Sequence, residues 1–270
     1  MGLASLLLDL VAPLECGLCG RASGPSRDLP FCSACARGLP WWRLADGCPL
    51  CGTWTPLPGA PPETDLFSGG TEGCPGCLAN GSPLHACHAL LRYEGPTRVW
   101  IPGFKHRPGP FGPPPSLVRT IDFLADALAR ILERAATRPP DAIMPVPLHP
   151  DRRRERGFDH AAWLARRIAR RCGRPCRLGG LVRVRATLSQ AGLRGSARRT
   201  NVRGAFRASA PLAPGARVWL VDDVLTTGHT LEAAAEALLA GGAEEVHGLA
   251  LAATLPARRR ARRASHPTAS

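Results

Sequence analysis

The sequence has 270 residues and a formal net charge of +14, a length that allows one large domain or a core domain with a smaller module. Its hydrophobic fraction of 44% is enough to build a buried core, which excludes a wholly disordered chain. No stretch reaches the roughly 18 apolar residues of a membrane-spanning helix, which excludes membrane insertion.

The positive charge is concentrated in one region of the chain. Residues 1–90 hold 4 arginines and 7 acidic residues, whereas residues 151–207 hold 17 arginines and 3 acidic residues. Residues 257–270 add five arginines and are expected to form a basic, disordered tail. This concentration favours a polyanionic ligand, either a phosphorylated small molecule or a nucleic acid. The alternative is a solvated surface in an arginine-rich proteome.

The first 88 residues predict a small, cysteine-rich domain. They begin with MGLASLLLDLVAP, which lacks the basic start of a signal peptide, so we expect a packed helix there and a cytoplasmic protein. The same 88 residues hold nine of the eleven cysteines and little periodic pattern. Metal ligands are therefore expected to replace a hydrophobic core in this domain.

Four C-x-x-C pairs, separated by 12, 12 and 22 residues, predict that residues 1–88 form a double zinc-ribbon domain with two zinc sites. Each pair turns two thiolates toward one point, and two pairs complete the tetrahedral four-sulfur shell that zinc prefers. Closed shells of this kind are structural rather than catalytic. Disulfides would need an oxidising compartment, and a thioredoxin-like role would not need four copies. Sequential and cross-braced pairing are both allowed by the spacing. The predicted ligands are Cys16, Cys19, Cys32, Cys35, Cys48, Cys51, Cys74 and Cys77.

From residue 89 to residue 256 the pattern changes to alternating strands and helices. Residues 117–136 place Ile121, Leu124, Leu128, Ile131 and Leu132 on one helical face. Apolar strands are predicted at 89–95, 142–146, 217–224 and 245–253, and helices at 160–172 and 231–240. This alternation predicts an α/β domain with a mostly parallel sheet and helices packed against it.

The segment VDDVLTTGHT, residues 221–230, joins an apolar strand to a helix. Ligands of open α/β sheets bind at the carboxyl ends of strands, where Asp222 and Asp223 could accept hydrogen bonds from ribose hydroxyls. The residues that follow offer hydroxyls and backbone N–H groups at a helix N-terminus, which favours a phosphate. The predicted phosphate loop consists of Thr226, Thr227, Gly228, His229 and Thr230. The alternative is an ordinary turn with threonine capping.

At these residues the chain resembles the type I phosphoribosyltransferases, and more closely the ComF family. The resemblance extends to the cysteine pairs, to PVPLHP at 145–150, to RERGFDHA at 154–161 and to the run from Thr187 to Asn201. The family commonly has RGFNQ where this chain has RGFDH, and a small residue where this chain has His229. We expect the His229 ring to be exposed rather than a direct ligand of the phosphate.

The resemblance implies a type I phosphoribosyltransferase-like sheet with helices on both faces, a mobile hood, and phosphoribosyl pyrophosphate (PRPP) bound with Mg²⁺. The 5-phosphate would lie on the loop 226–230, the ribose near the two aspartates, and the diphosphate near the loop after Val146. Candidate contacts of the diphosphate and the hood are Lys105, Pro147, Arg152, Arg156 and Arg198.

Two functions follow from the resemblance. One is a phosphoribosyltransferase, whose acceptor the sequence does not identify and whose role would be in DNA uptake or nucleotide-related metabolism. The other is a non-catalytic competence factor that binds single-stranded DNA and uses the PRPP-type site to sense or bind phosphate groups. Expected partners are PRPP, single-stranded DNA, and a competence helicase or a second copy of the chain. Trp41, Trp42 and Trp54 are interpreted as core residues rather than a stacking platform.

Overall fold

A four-stranded parallel sheet forms the centre of the computed structural model, which describes residues 15–21, 29–42, 47–53, 73–105, 115–135, 138–148, 159–185 and 201–255. In chain order the elements are α1 (Ser33–Arg37), α2 (Pro75–Asn80), β1 (Ala86–Arg92), α3 (Pro96–Lys105), α4 (Pro115–Ala135), β2 (Ala142–Pro145), α5 (His160–Arg171), β3 (Leu181–Arg183), β4 (Phe206–Ala208), β5 (Ala216–Leu225), α6 (His229–Ala240) and β6 (Ala243–Ala253). The strand order is β1-β6-β5-β2, and every neighbouring pair is parallel.

Helices cover both faces of this sheet, as predicted. Helices α4 and α5 pack together on one face, while α6 packs on the other face against β5 and β6. Strand β5 contributes side chains to both faces of the sheet, because successive side chains alternate. Trp219 and Val221 face α4 and α5, whereas Val218 and Leu220 face α6. Since both faces are buried, the middle of the strand, residues 218–221, is a continuous apolar run.

The long predicted helix is confirmed as α4. Its residues Ile121, Leu124, Leu128 and Leu132 are buried in one core cluster, and Ile131 is partly buried against the same cluster. Helix α3 was not predicted, because Pro102 lies inside it. Strands β3 and β4 form an antiparallel pair beside α6.

The cysteine-rich segment covers the open edge of β1. The Cys87 N–H donates to the Pro49 carbonyl at 2.7 Å, and the Arg92 N–H donates to the Pro40 carbonyl at 2.7 Å. In the other direction, the Trp42 N–H donates to the Leu90 carbonyl at 2.9 Å. These bonds satisfy groups that an unpaired edge strand would leave open.

The predicted domain division at residues 88–89 falls inside β1, whose pairing with β6 starts at Ala86. The exact domain division stays a prediction. The predicted basic tail at 257–270 and the predicted N-terminal helix lie outside the described residues, so they stay predictions as well. Among the described residues, no helix combines the length and the apolar character that crossing a membrane requires.

Candidate functional site

The predicted phosphate loop connects β5 to α6. Strand β5 continues through both aspartates and ends at Leu225, and α6 begins at His229 with Gly228 as its N-cap. Gly228 has φ 82°, in the left-handed region that side-chain-bearing residues avoid. A glycine is therefore required at this position by the backbone itself.

Two carbonyl groups of the loop accept hydrogen bonds from residues outside the loop. The Thr254 hydroxyl donates to the Thr226 carbonyl at 2.9 Å, and the Thr53 hydroxyl makes a long hydrogen bond of 3.5 Å to the Thr227 carbonyl. Cis peptide bonds are absent from the described residues, so each N–H points away from the carbonyl of its own peptide unit. The N–H groups of Thr227 and Gly228 therefore face away from Thr254 and Thr53. With the 12-residue helix α6 behind them, they suit an anion.

The two aspartates lie on opposite faces of the sheet. Asp223 lines a small apolar cavity with Ile121, Leu124, His160, Leu164 and Leu251 on the face of α4 and α5. Asp222 lies near Cys87 on the α6 face. Burial is the main cause that raises the pKa of the Cys87 thiol, and the negative charges of Cys48, Glu232 and Asp222 raise it further.

Each aspartate carboxylate also accepts a hydrogen bond from the next backbone N–H along the chain. The Asp223 N–H donates to Asp222 Oδ1 and the Val224 N–H donates to Asp223 Oδ1, both at 2.7 Å. These bonds hold both carboxylates at the carboxyl end of β5. A substrate at this edge would contact one carboxylate beside an apolar cavity, Asp223, and one near Cys87, Asp222.

His229 is half-buried rather than exposed, and its Nδ1 lies 3.2 Å from the Thr227 hydroxyl. The histidine thus interacts with the loop itself, which corrects the expectation of a free, exposed ring. Thr226 and Thr230 are also half-buried.

The other departure from the family pattern has a structural account. The Asp159 side chain caps α5, with Oδ1 accepting from the Ala162 N–H at 2.9 Å, and His160 is buried in the first turn. A carboxylate at an N-cap satisfies an otherwise unpaired N–H group and opposes the positive end of the helix dipole. Asp159 therefore caps the helix, and His160 lines the small cavity that Asp223 also lines.

The candidate diphosphate contacts are only partly described. Pro147 follows β2, whose Pro145 pairs with Val221, so it lies at the same sheet edge as the aspartates. Lys105 is the last residue of α3, and its side chain is not among those described. Arg152, Arg156 and Arg198 lie outside the described residues.

Two of the described arginines of the basic region are paired with acidic residues of α4. Arg167 forms an ion pair with Asp122, and the Arg171 guanidinium lies 3.7 Å from Asp126 Oδ1 and 3.7 Å from Glu133 Oε1. These arginines join α5 to α4, so the count of arginines in the sequence overstates the charge available to a ligand.

The first cysteine tetrad brings together Cys16, Cys19, Cys32 and Cys35, whose sulfur atoms all lie within 4.8 Å of one another. Cys19 Sγ and Cys32 Sγ are 3.8 Å apart, and the Cys35 N–H donates to Cys32 Sγ at 3.5 Å. Burial raises the pKa of Cys16, but backbone N–H groups of Cys19 and Cys32 lower it more, to about 7. A thiolate is thus accessible near neutral pH, as a metal ligand requires.

The second tetrad consists of Cys48, Cys51, Cys74 and Cys77, all buried and also within 4.8 Å of one another. The Cys74 N–H donates to Cys48 Sγ at 3.1 Å. Hydrogen bonding from the Cys51 thiol is the main cause that lowers the pKa of Cys48 to about 6. Sequential pairing of the C-x-x-C motifs is therefore the arrangement found, and both four-sulfur sets are compatible with structural zinc.

The prediction that the tryptophans of this region are core residues is wrong for Trp41, which exposes 41% of its surface. Trp42 is partly buried and packs against the core on the α6 side of the sheet. Trp54 lies outside the described residues. Sequence reasoning also missed Thr53 and Thr254, because a lone threonine carries no motif.

Comparison with known proteins assigns the chain. Residues 124–267 match the family model described as the phosphoribosyl transferase domain. DNA utilization protein YhgH of Salmonella typhimurium is 31% identical over 254 residues, covering 91% of this chain and 100% of that protein. Competence protein F of Haemophilus influenzae is 28% identical over 238 residues, covering 87% and 90%. Adenine phosphoribosyltransferase from Leishmania tarentolae matches 67% of this chain and 84% of its own at 21% identity and a TM-score of 0.36. Because the domain model spans half of the chain and the curated relatives align over nearly all of it, the chain belongs to the ComF family of phosphoribosyl transferase domain proteins.

Proposed function

We propose that the chain binds PRPP at the carboxyl edge of its sheet and transfers the 5-phosphoribosyl group to an acceptor. The observation that carries this proposal is the loop before α6. The Thr226 and Thr227 carbonyls accept hydrogen bonds from Thr254 and Thr53, so the N–H groups of Thr227 and Gly228 point away from those two side chains. A 5-phosphate bound there would accept hydrogen bonds from these N–H groups and from the threonine hydroxyls.

Asp222 and Asp223 are the proposed ribose contacts. Carboxylates that accept hydrogen bonds from ribose hydroxyls orient the sugar, and their negative charge stabilises the positive charge that develops at C1 as diphosphate leaves. The two carboxylates also offer the oxygen donors that a hard divalent cation prefers, and Mg²⁺ bound with PRPP would neutralise the diphosphate charge. Lys105, Pro147, Arg152, Arg156 and Arg198 stay candidates for the diphosphate and the hood.

We propose two structural zinc ions, one in each cysteine tetrad. Four sulfur donors within 4.8 Å of one another fit a closed tetrahedral zinc shell in each tetrad. Bound zinc would cross-link segments with little core of their own, which makes metal binding part of folding.

Binding of single-stranded DNA is the second candidate function. It is favoured by the excess of arginines over acidic residues in 151–207, which stays large after the pairing of Arg167 and Arg171 with α4, and by the names of the relatives, which refer to DNA utilization and competence. The exposed Trp41 offers one aromatic ring for base stacking. This role would fit a cytoplasmic protein that binds a helicase-type partner or a second copy of the chain.

Calorimetric titration of the full chain with PRPP in Mg²⁺ tests the first function, and titration with a single-stranded oligonucleotide tests the second. We expect PRPP to bind at one site per chain. For DNA, counterion release predicts a slope of roughly −0.7 in log K against log salt for each phosphate contacted. Absence of heat with PRPP would remove the enzyme proposal, and DNA binding that does not change with salt would contradict an arginine-based interface.

A further inference from the structure

The second cysteine tetrad lies directly against the phosphate loop. A Cβ on Gly228 would be 3.4 Å from the Cys51 carbonyl oxygen and 3.5 Å from Thr53 Oγ1. On the other side of the contact, Gly52 has φ 69°, and a Cβ there would lie only 2.5 Å from Leu225 Cδ2. Glycine at position 52 thus lets the Cys51–Thr53 backbone approach the end of β5 more closely than a side chain would permit, and Gly228 lies in ordinary contact with the same segment.

A chain of polar contacts runs through the same interface. Thr53 exposes only 5% of its surface, and its hydroxyl lies 3.4 Å from Cys51 Sγ and 3.5 Å from the Thr227 carbonyl, to which it donates. The hydroxyl therefore lies between a sulfur atom of the tetrad and one peptide of the loop, and its single proton is donated to that peptide. That peptide carries the Gly228 N–H on its opposite side, so the Thr53 contact favours the rotation in which this N–H points at the proposed phosphate position.

The first cysteine tetrad provides a natural comparison, because its described contacts are with other elements. The Gly17 carbonyl accepts a hydrogen bond from Trp100 Nε1 of α3 at 2.8 Å. Gly17 also lies so close to α4 that a Cβ on it would collide with the Thr120 side chain. Cys16 is buried in the core cluster of α4 and α5. The two tetrads thus support different parts of the fold.

From these contacts we infer that Thr53 is a positioning residue for the phosphate loop, and that metal in the second tetrad, but not in the first, maintains PRPP affinity. Metal at the second tetrad fixes the backbone from Cys48 to Cys51, and Thr53 transmits that order to the Thr227 carbonyl. This inference rests on the proposed function, since PRPP is the ligand whose affinity it concerns.

The first test compares Thr53→Val, Thr53→Ser and Thr120→Val in the zinc-loaded full chain. Valine keeps the shape of threonine but removes the hydroxyl, and serine restores it. Thr120→Val is the matched control, because it removes a buried hydroxyl that donates within α4, to the Ser116 carbonyl at 2.8 Å. The measurements are PRPP calorimetry and amide hydrogen exchange of the peptide that contains residues 226–230.

A long, neutral hydrogen bond lies at the weak end of its class, so we expect Thr53→Val to weaken PRPP binding by about two- to fivefold. The loop peptide of this variant should exchange faster in the absence of ligand, while Thr53→Ser and Thr120→Val should match the wild type in both measurements. Unchanged affinity and exchange in Thr53→Val, or an equal effect in Thr120→Val, would overturn the positioning role.

The second test compares Cys77→Ser with Cys19→Ser, each of which removes one ligand from one tetrad. Elemental analysis should find one zinc fewer in each variant, but only Cys77→Ser should increase hydrogen exchange in the loop. Equal loop exchange in the two variants would overturn the inference. If the wild type gives no heat with PRPP, the proposed function fails, whereas loop exchange still decides whether Thr53 and the second tetrad order the loop.

Discussion

Replacing Gly228 with alanine tests the phosphate loop most directly. Gly228 has φ 82°, and this left-handed conformation costs a side-chain-bearing residue roughly 1–2 kcal/mol. The added methyl group has room, since its nearest neighbours would be 3.4 and 3.5 Å away. The effect should therefore come from backbone strain rather than from a collision.

Strain of this size has two measurable results in Gly228→Ala. If the protein keeps its backbone, the free energy of unfolding falls by about 1–2 kcal/mol, which lowers the melting temperature by roughly 2–8 °C. If the peptide rotates instead, the loop N–H groups turn away from the phosphate. Loss of one charge-assisted hydrogen bond, about 1.5–3 kcal/mol, then weakens PRPP binding by about 10- to 150-fold.

The assay is PRPP calorimetry with a thermal melt, and the matched control is Gly173→Ala. Gly173 has φ 61°, and a Cβ added to it would meet no atom within 4 Å, so the variant carries similar strain without lying in the loop. We expect the control to lose stability but to bind PRPP like the wild type. Wild-type affinity combined with wild-type stability in Gly228→Ala, or an equal loss of PRPP affinity in Gly173→Ala, would refute the reasoning.

Three other predictions concern the carboxylates, the metal and pH. Asp222→Asn or Asp223→Asn keeps the shape but removes a charged acceptor, so PRPP affinity measured by calorimetry should fall about one to two orders of magnitude in each; unchanged affinity in both would exclude ribose contacts. Elemental analysis of protein purified without added metal should find two zinc ions per chain, and a ratio near zero with intact disulfides would contradict the tetrad assignment. Burial lowers the pKa values of His88 and His247 below 6.5, so the unfolded chain binds protons that the folded chain does not as pH falls below 6.5. Stability in urea should then be fully present above pH 6.5 and decline at lower pH, and this decline should be smaller in His88→Gln.

The sequence predicted the elements whose pattern is local. The spacing of Ile121, Leu124 and Leu128 defined α4, and the apolar run before Asp222 defined β5, because periodicity depends only on neighbours along the chain. The position of the phosphate loop between β5 and α6 followed for the same reason.

Contacts between distant segments could not be predicted in this way. Spacing alone allowed both pairings of the C-x-x-C motifs, and only the fold distinguishes them. The neutralisation of Arg167 and Arg171 by acidic residues of α4 requires two helices to pack side by side. The contact of Thr53 with the loop joins residues 174 positions apart, and no local pattern marks it.

That separation has a consequence for synthesis of the protein. The cysteine-rich segment emerges from the ribosome early, whereas Leu225 and Thr227, which cover Gly52 and Thr53, are made much later. At roughly 5–20 residues per second, about 9–35 s pass between Thr53 and Thr227. Once Cys77 has been made, the four cysteines of the second tetrad are available to metal for the rest of this interval, before the sheet closes over them. If the tetrad binds zinc as proposed, loading can therefore precede completion of the sheet, and a chain made without zinc would present a less ordered surface to the strand that is made last.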